Sequence, residues 1–223
     1  MKSTLMLTAV LAAFALPAQA QTATALRAAA DQITTKQGPL TVQPITHGSV
    51  VLTWNGKTIY VDPYGGATAY AGLTAPDIIL ITDIHGDHLD PKTLAGLSVG
   101  KALMVVPQAV ADKLPAEYKA QVRVVGNGQK LDTLGMTVSA IPMYNLPEAP
   151  DAPHTKGRGN GYVLNLGGKN VYLSGDTEDI AEMRALKGID VAFVCMNLPY
   201  TMDVNQADKK IDVRLRNWYP AAQ

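Results

Sequence analysis

One short segment of the chain combines side chains that bind metal ions. Residues 78–90 read IILITDIHGDHLD, an apolar run followed within a few positions by aspartate and histidine. Carboxylate oxygen and neutral imidazole nitrogen are both ligands of zinc, manganese and iron. The segment therefore predicts a divalent metal site at the end of a strand buried on both faces. The candidate ligands are Asp83, His85, Asp87 and His88.

The same segment has a simpler interpretation as a solvated loop. Polar residues after a strand often only turn the chain, and Asp90 before Pro91 has the pattern of a helix N-cap followed by proline. However, two of the chain's four histidines fall in this loop, which favours the metal site.

A single loop cannot surround a metal ion, so other segments must supply further ligands. His154 lies in a long loop rich in proline and glycine, of the kind that is usually functional or disordered. Asp176 follows an apolar run, as the first loop does, and His47 precedes a predicted strand. Each has an ordinary alternative when taken alone, because a lone aspartate often caps a helix and a lone loop histidine is often solvated.

Two predicted hairpins, with strand–helix units between them, position these loops. Ser49–Trp54 and Lys57–Val61 are joined by an Asn-Gly pair, which is a strong hairpin signal. Tyr162–Leu166 and Asn170–Leu173 are joined by a Gly-Gly pair in the same way. The pattern predicts two mixed sheets packed face to face, with helices outside and polar loops meeting at one edge.

Composition indicates one folded domain without a general attraction to polyanions. The chain has 223 residues, of which 47% are hydrophobic and 17% charged. The 19 lysine and arginine residues balance the 19 aspartate and glutamate residues, so we do not expect general binding to nucleic acid or to a membrane surface. The expected partner is a small-molecule substrate. Cys195 is the only cysteine, which excludes an internal disulfide, and we expect a buried thiol without a chemical role.

The N-terminus has the pattern of a secretory signal. Residues 1–20 contain a lysine, an apolar run too short to span a membrane and the small-residue pattern Ala18-Gln19-Ala20. We predict cleavage before Gln21 and a periplasmic or secreted location, the alternative being a retained N-terminal anchor. Residues 21–39 are predicted to be a weakly structured leader, either a short helix or disordered, and residues 40–223 the folded domain.

The motifs resemble those of the metallo-β-lactamase superfamily. Asp83-x-His85-x-Asp87-His88, with His154 and then Gly175-Asp176, matches its metal-binding pattern. The chain is most similar to the UlaG-like branch of hydrolases related to L-ascorbate-6-phosphate lactonase. This likeness spans about residues 40–201 and resumes at 211–220. The segments that carry it are Thr46–Ser49, Tyr60–Pro63, Gly157–Gly161 and Met196–Met202. The resemblance implies an α/β (α+β) fold, a four-layer αβ/βα sandwich with a dinuclear site at one edge.

The resemblance also implies a ligand set. His85 and His154 correspond to ligands of the first metal, with Asp83 where the family usually has a third histidine. Asp87 and His88 correspond to ligands of the second metal, and Asp176 to the carboxylate that bridges both. Zn²⁺ is the expected ion, with one or two per chain, although the oxygen donor Asp83 also suits Mn²⁺ or Fe²⁺.

Other residues receive supporting roles by the same resemblance. Asp62 corresponds to a position that orients the ligand loop by hydrogen bonding. His47 is expected beside the site as a substrate contact or proton donor rather than a ligand, and Asp87 could orient the attacking water. The expected substrate contacts are Arg158, Asn160 and Tyr200.

The C-terminal part departs from the family pattern. The family carries another histidine that completes the second metal, whereas this chain has no histidine after His154. About one helix and one strand are missing between Asp208 and Asp212. This predicts a shortened fold whose second site is weak, vacant, or filled by water or a second copy of the chain, which leaves a homo-oligomer open.

The implied activity is metal-assisted hydrolysis. Water activated near neutral pH would attack an ester, lactone or phosphodiester. One alternative is a degenerate, non-catalytic member that binds a metal or ligand without turnover. Another is a chain shortened by a gene or sequence error.

Overall fold

Two β-sheets packed face to face form the centre of the fold in the computed structural model, which describes residues 27–208. In the first sheet, seven strands lie side by side in chain order. The first four are antiparallel, and the last four, beginning with Lys57–Val61, are parallel to one another. The strands are β1 Asp31–Thr35, β2 Gly38–Pro44, β3 Val50–Trp54, β4 Lys57–Val61, β5 Ile78–Leu80, β6 Leu103–Val106 and β7 Val122–Val124.

The second sheet has five strands, in the order Val191–Phe193 (β12), Lys169–Leu173 (β11), Gly159–Leu166 (β10), Met136–Met143 (β9) and Lys130–Thr133 (β8). Four of them pair antiparallel, and the edge strand β12 runs parallel to β11.

Short helices cover the outer face of each sheet. Residues Pro91–Gly96 (α1) and Gln108–Lys113 (α2) pack on the first sheet, and Ala181–Arg184 (α3) and Val204–Asp208 (α4) on the second. Two 3₁₀ turns, Ala67–Tyr70 and Ala116–Gln121, complete the described elements. The described helices are all too short to cross a membrane. The layers are therefore helix, sheet, sheet, helix, and the predicted sandwich is confirmed.

Strand β5 explains how the core supports the ligand loop. Its residues are completely buried. Ile78 and Leu80 face the core between the two sheets, while Ile79 faces the core beneath α1 and α2. A parallel strand covered on both faces requires apolar side chains at every position. The loop that follows β5 thus starts from an anchored strand.

The predicted leader at residues 21–39 contains a β-strand among its described residues, which corrects the expectation of a helix or disorder. Asp31–Thr35 pairs antiparallel with β2, from Asp31 opposite Val42 to Thr35 opposite Gly38. Ile33 packs against the core between the sheets. The segment looks polar because an edge strand exposes alternate side chains, and threonine suits strands well.

Two other predictions fall outside the described residues. The signal peptide at residues 1–20 lies wholly outside them, and the predicted gap between Asp208 and Asp212 begins at their last residue. Both stay predictions.

Candidate metal centre

The loop after β5 turns tightly enough to bring its ligands to one point. The backbone amides of His88 and Leu89 both donate to the carbonyl of His85, at 3.0 and 2.8 Å. Asp90 then caps α1 by accepting from the amides of Lys92 and Thr93. The helix-cap alternative is thus correct for Asp90 alone, and the four polar residues before it remain available to the site.

Asp62 fixes this loop from the end of β4. Its buried carboxylate accepts hydrogen bonds from the amide and hydroxyl of Thr82, at 2.7 and 2.6 Å. The same carboxylate lies 2.8 Å from His88 Nδ1. Because Nδ1 is held in this way, the other ring nitrogen, Nε2, faces the site.

Two buried imidazole nitrogens converge on one carboxylate. His88 Nε2 and His154 Nε2 are buried and have no hydrogen-bond partner among the described residues. They lie 3.2 and 3.3 Å from Asp176 Oδ2. A buried polar atom without a partner is costly, so these atoms point to a cation between them. The donor set suits a divalent metal ion.

The electrostatics of the cluster agree with this geometry. Burial raises the pKa of Asp176, but its contacts with His154 and His88 outweigh burial and hold that pKa well below its ordinary value. Burial lowers the pKa of His88, whereas the hydrogen bond with Asp62 and the negative charges of Asp62 and Asp176 raise it well above 6.5 overall. Positive charge is therefore stabilised at this point, whether carried by a proton or by a metal ion.

Gly175 allows β11 to deliver Asp176 to the site. Its φ is +58°, in the left-handed region that favours glycine, and an added Cβ would lie 2.6 Å from Met143 Sδ and 3.1 Å from the carbonyl oxygen of Asn160. Any larger residue would push the strand end away from β10.

All six predicted ligands lie in two adjoining groups. Within each group the ligand atoms lie within 4.8 Å of one another. The first group is Asp83, His85 and His154, and the second is Asp87, His88 and Asp176. Residues from three separate segments are thus brought together at one edge of the sandwich.

The first group contains a salt bridge that the sequence did not indicate. Arg158 Nε donates to Asp83 Oδ1 at 3.0 Å, and Nη2 donates to Oδ2 at 2.8 Å. Asp83 is fully buried, and Arg158 is partly buried. Arg158, which was predicted as a substrate contact, is bound to a predicted ligand, because its long side chain folds back toward the ligand loop.

His47 lies beside the second group. Its Nε2 is 2.8 Å from Asp87 Oδ2, and its ring meets that of His88 edge-on at a centroid distance of 6.4 Å. The side chains of His47 and Asp87 are 23% and 33% exposed, so this pair is open to solvent while His88 is not.

Comparison with known proteins decides the family. Residues 41–215 match the family described as the β-lactamase superfamily domain. The chain belongs to this superfamily. The predicted resemblance to the metallo-β-lactamase superfamily is confirmed, while its UlaG-like branch stays a prediction.

Several proteins similar to this superfamily member carry the name metal-dependent hydrolase. A UPF0173 metal-dependent hydrolase of Pyrococcus abyssi is 29% identical over 167 residues, covering 70% of this chain and 72% of its own. One from Thermus thermophilus is 29% identical over 180 residues, covering 77% and 78%. A Parabacteroides distasonis protein that is also named as a metal-dependent hydrolase has a crystal structure similar to this chain. The two structures superpose with a TM-score of 0.76, at 38% sequence identity and with 86% of each chain covered. Igni18, a metallo hydrolase of Ignicoccus hospitalis, shares the fold with a TM-score of 0.62 at 22% identity and 75% coverage of each chain.

Two predicted substrate contacts of this superfamily member take part in contacts within the protein itself. Asn160 is 1% exposed. Its side chain donates to the carbonyl of Val125 at 2.7 Å and accepts from the side-chain amide of Asn127 at 2.6 Å, so it links β10 to the segment after β7 rather than facing a substrate. Tyr200 is 52% exposed, and its carbonyl, not its ring, accepts a bond from Asn145. Both were predicted because their loops were expected to flank the metals, and the position of a loop does not determine where each of its side chains points.

Sequence reasoning missed Asn145. Its Oδ1 accepts from the amide of His154 at 2.7 Å and lies 3.1 Å from His154 Nδ1. Its Nδ2 donates to Glu178 and to the carbonyl of Tyr200. Asn145 therefore holds His154 as Asp62 holds His88. The available signal was its position just after β9, since Asp62 and Asp83 also follow strand ends.

A cavity of about 260 Å³ opens beside His88 and Asp176. Much of its wall is apolar, and among the described residues no lysine or arginine lines it. Cys195 is on this wall, but its thiol is bonded to the backbone of Thr177, and burial raises its pKa to about 11. The principal apolar lining residues are Ile45, Val50, Val61, Leu173, Phe193 and Met196.

Proposed function

We propose that this protein is a metal-dependent hydrolase that cleaves an uncharged ester or lactone. One observation carries the proposal: two buried imidazole nitrogens without hydrogen-bond partners converge on the Asp176 carboxylate. The names of the related proteins support it. A divalent cation held by these residues, for which we propose Zn²⁺, would supply water acidified near neutral pH and positive charge to polarise the carbonyl under attack.

The chain's own residues have separable tasks in this reaction. Asp62 and Asn145 hold the Nδ1 atoms of His88 and His154, which keeps both Nε2 atoms directed at Asp176. His47 and Asp87, in contact and partly exposed, form a hydrogen-bonded pair that can carry a proton. Asp87 orients the attacking water, and His47 is the donor for the leaving oxygen.

The cavity narrows the substrate class. Its wall is largely apolar, and the charged side chains that line it are carboxylates and imidazoles such as Asp176 and His88. A phosphodiester would bring negative charge to a pocket without lysine or arginine among the described residues, whereas an ester or lactone with an apolar part would not. The cavity therefore favours uncharged substrates with a hydrocarbon portion.

Removal of the metal ion tests this proposal. The purified protein is assayed on an aryl butyrate ester, an aliphatic lactone and a bis-aryl phosphodiester, before and after dialysis against a chelator. We expect ester or lactone turnover that is lost on chelation and restored by Zn²⁺ or Mn²⁺. Asp176→Asn should lower turnover by more than the roughly 10–100-fold that loss of an outer hydrogen-bond partner costs.

Asp112→Asn is the matched control, since Asp112 lies on α2 and is bonded only to Gln108 in the contacts described. Full activity in chelator would reject the metal mechanism. Metal binding without turnover of any substrate would favour the alternative of a non-catalytic member.

A further inference from the structure

The Asp83 carboxylate has both oxygens engaged. Arg158 meets it with two parallel donors, Nε to Oδ1 at 3.0 Å and Nη2 to Oδ2 at 2.8 Å. His85 Nδ1 also lies 3.1 Å from Asp83 Oδ2. Two-point pairing of arginine with a buried carboxylate is strong and geometrically specific. Asp83 is therefore not a free ligand in the way that Asp176 is.

The guanidinium lies among the residues of the first group. Arg158 Nη2 also lies 3.4 Å from His85 Nε2 and donates to the carbonyl of Pro153 at 2.6 Å. One nitrogen thus contacts two of the three residues that a metal ion in this group would need. Because arginine keeps its proton at any working pH, a permanent positive charge stands where that ion would bind.

The two groups of candidate ligands differ in how their carboxylate charge is balanced. In the first, the single carboxylate of Asp83 is neutralised by Arg158. In the second, Asp87 and Asp176 supply two carboxylates, neither of which contacts a lysine or arginine in the ion pairs described. The unpartnered Nε2 atoms of His88 and His154 are both directed at Asp176, so His154 completes the second group rather than the first.

We infer that this chain binds one divalent cation, held by His88, His154, Asp176 and Asp87, and that Arg158 supplies fixed positive charge in place of a second ion. The inference rests on the metal binding in the proposed function and replaces the dinuclear centre that the family resemblance implies. Arg158 is thereby a positioning residue, which acts on the site through Asp83 and His85.

Metal stoichiometry tests the inference without an activity assay. The metal-free protein is saturated with Zn²⁺, excess ion is removed, and zinc per chain is measured by elemental analysis and by calorimetric titration. We expect one ion per chain. The same value is expected for Arg158→Lys, which keeps the charge. It is also expected for the control Lys156→Met, because Lys156 lies in the same loop as Arg158 but its ammonium group pairs with Glu148 and with Glu182 of α3.

Removing the arginine should admit a second ion. Arg158→Met should bind two ions per chain, because Asp83 and His85 are then released. Since this change leaves Asp83 a buried charge without its partner and can destabilise the fold, it is paired with Asp83→His/Arg158→Met, which removes both charges and is also expected to bind two. Circular dichroism confirms that each variant is folded.

The outcomes separate the two proposals. Two ions per wild-type chain would overturn this inference and leave the proposed metal-dependent hydrolysis intact. No bound ion in the wild type would overturn both. One ion in the folded double variant would show that Arg158 does not exclude the second ion, and would also overturn the inference.

Discussion

At the scale of single residues, the site is organised by hydrogen bonds to the far side of each histidine. His88 is held by the carboxylate of Asp62 at 2.8 Å, and His154 by the amide oxygen of Asn145 at 3.1 Å. One partner carries a charge and the other does not. Both leave Nε2 directed at Asp176, so the orientation of the ring, rather than the charge behind it, is what the two partners share.

Asn145→Ala should therefore weaken metal binding. Loss of the bond to His154 frees the ring to rotate, and we expect the zinc affinity to fall roughly 10–100-fold. A competition titration against a coloured chelator measures this. Asn165→Ala is the control, because Asn165 is exposed and bonds only Asn170 in the contacts described. Equal affinities in the two variants would mean that Asn145 does not position His154.

At the scale of elements, the edge hairpin of the first sheet shows how polar residues can belong to a folded core. Thr35, at the end of β1, is buried; its hydroxyl donates to the carbonyl of Gly38 at 2.6 Å and accepts from the indole of Trp54 at 3.1 Å. It also accepts from the amide of Gln37. This hydroxyl ties β1 and its turn to Trp54, one of the large side chains between the sheets.

Thr35→Val should destabilise the protein measurably. The change keeps the shape but leaves the buried indole N–H and the Gln37 amide without an acceptor, which costs about 1–3 kcal/mol of the free energy of unfolding. Thr34→Val, one residue earlier and exposed, should change it by less than about 0.5 kcal/mol. Denaturant unfolding of both variants measures these changes in the free energy of unfolding. Equal unfolding midpoints for the two variants would contradict the role of the Thr35 hydroxyl.

At the scale of the whole molecule, the metal centre and the apolar cavity share one edge of the sandwich. The cavity is lined by both sheets, through Val50 and Val61 of the first and Leu173 and Phe193 of the second. His88 and Asp176 also line it. A substrate bound there would thus be oriented by packing between the sheets and attacked at the rim.

Narrowing the cavity should select against long acyl chains. Met196→Trp places a larger side chain on the cavity wall, and we expect KM for an aryl hexanoate ester to rise by about 10-fold or more while that for the acetate ester changes little. Leu198→Trp is the control, because Leu198 is 63% exposed in the same segment. An equal effect on both esters would place the acyl group elsewhere.

Much of the fold and the ligand set were predictable because their signals are local. The all-apolar β5 segment, the Asn-Gly and Gly-Gly turns and the clustered Asp and His residues each occupy a few consecutive positions. The two turns determine the pairing of β3 with β4 and of β10 with β11, and the strand ends bring the polar loops to one edge. Polar β1 was missed because its alternate burial depends on β2 and on the core beneath it.

The sequence by itself determined the candidate metal loop, the returning candidate ligands His154 and Asp176 and the two-sheet architecture. Only the tertiary structure decided that Arg158 pairs with Asp83, 75 positions away, and that Asn145 supports His154. The reason is physical. Periodicity and turn chemistry are properties of neighbouring residues, whereas the partner of a long, flexible side chain depends on which distant segments the packed sheets bring within its reach.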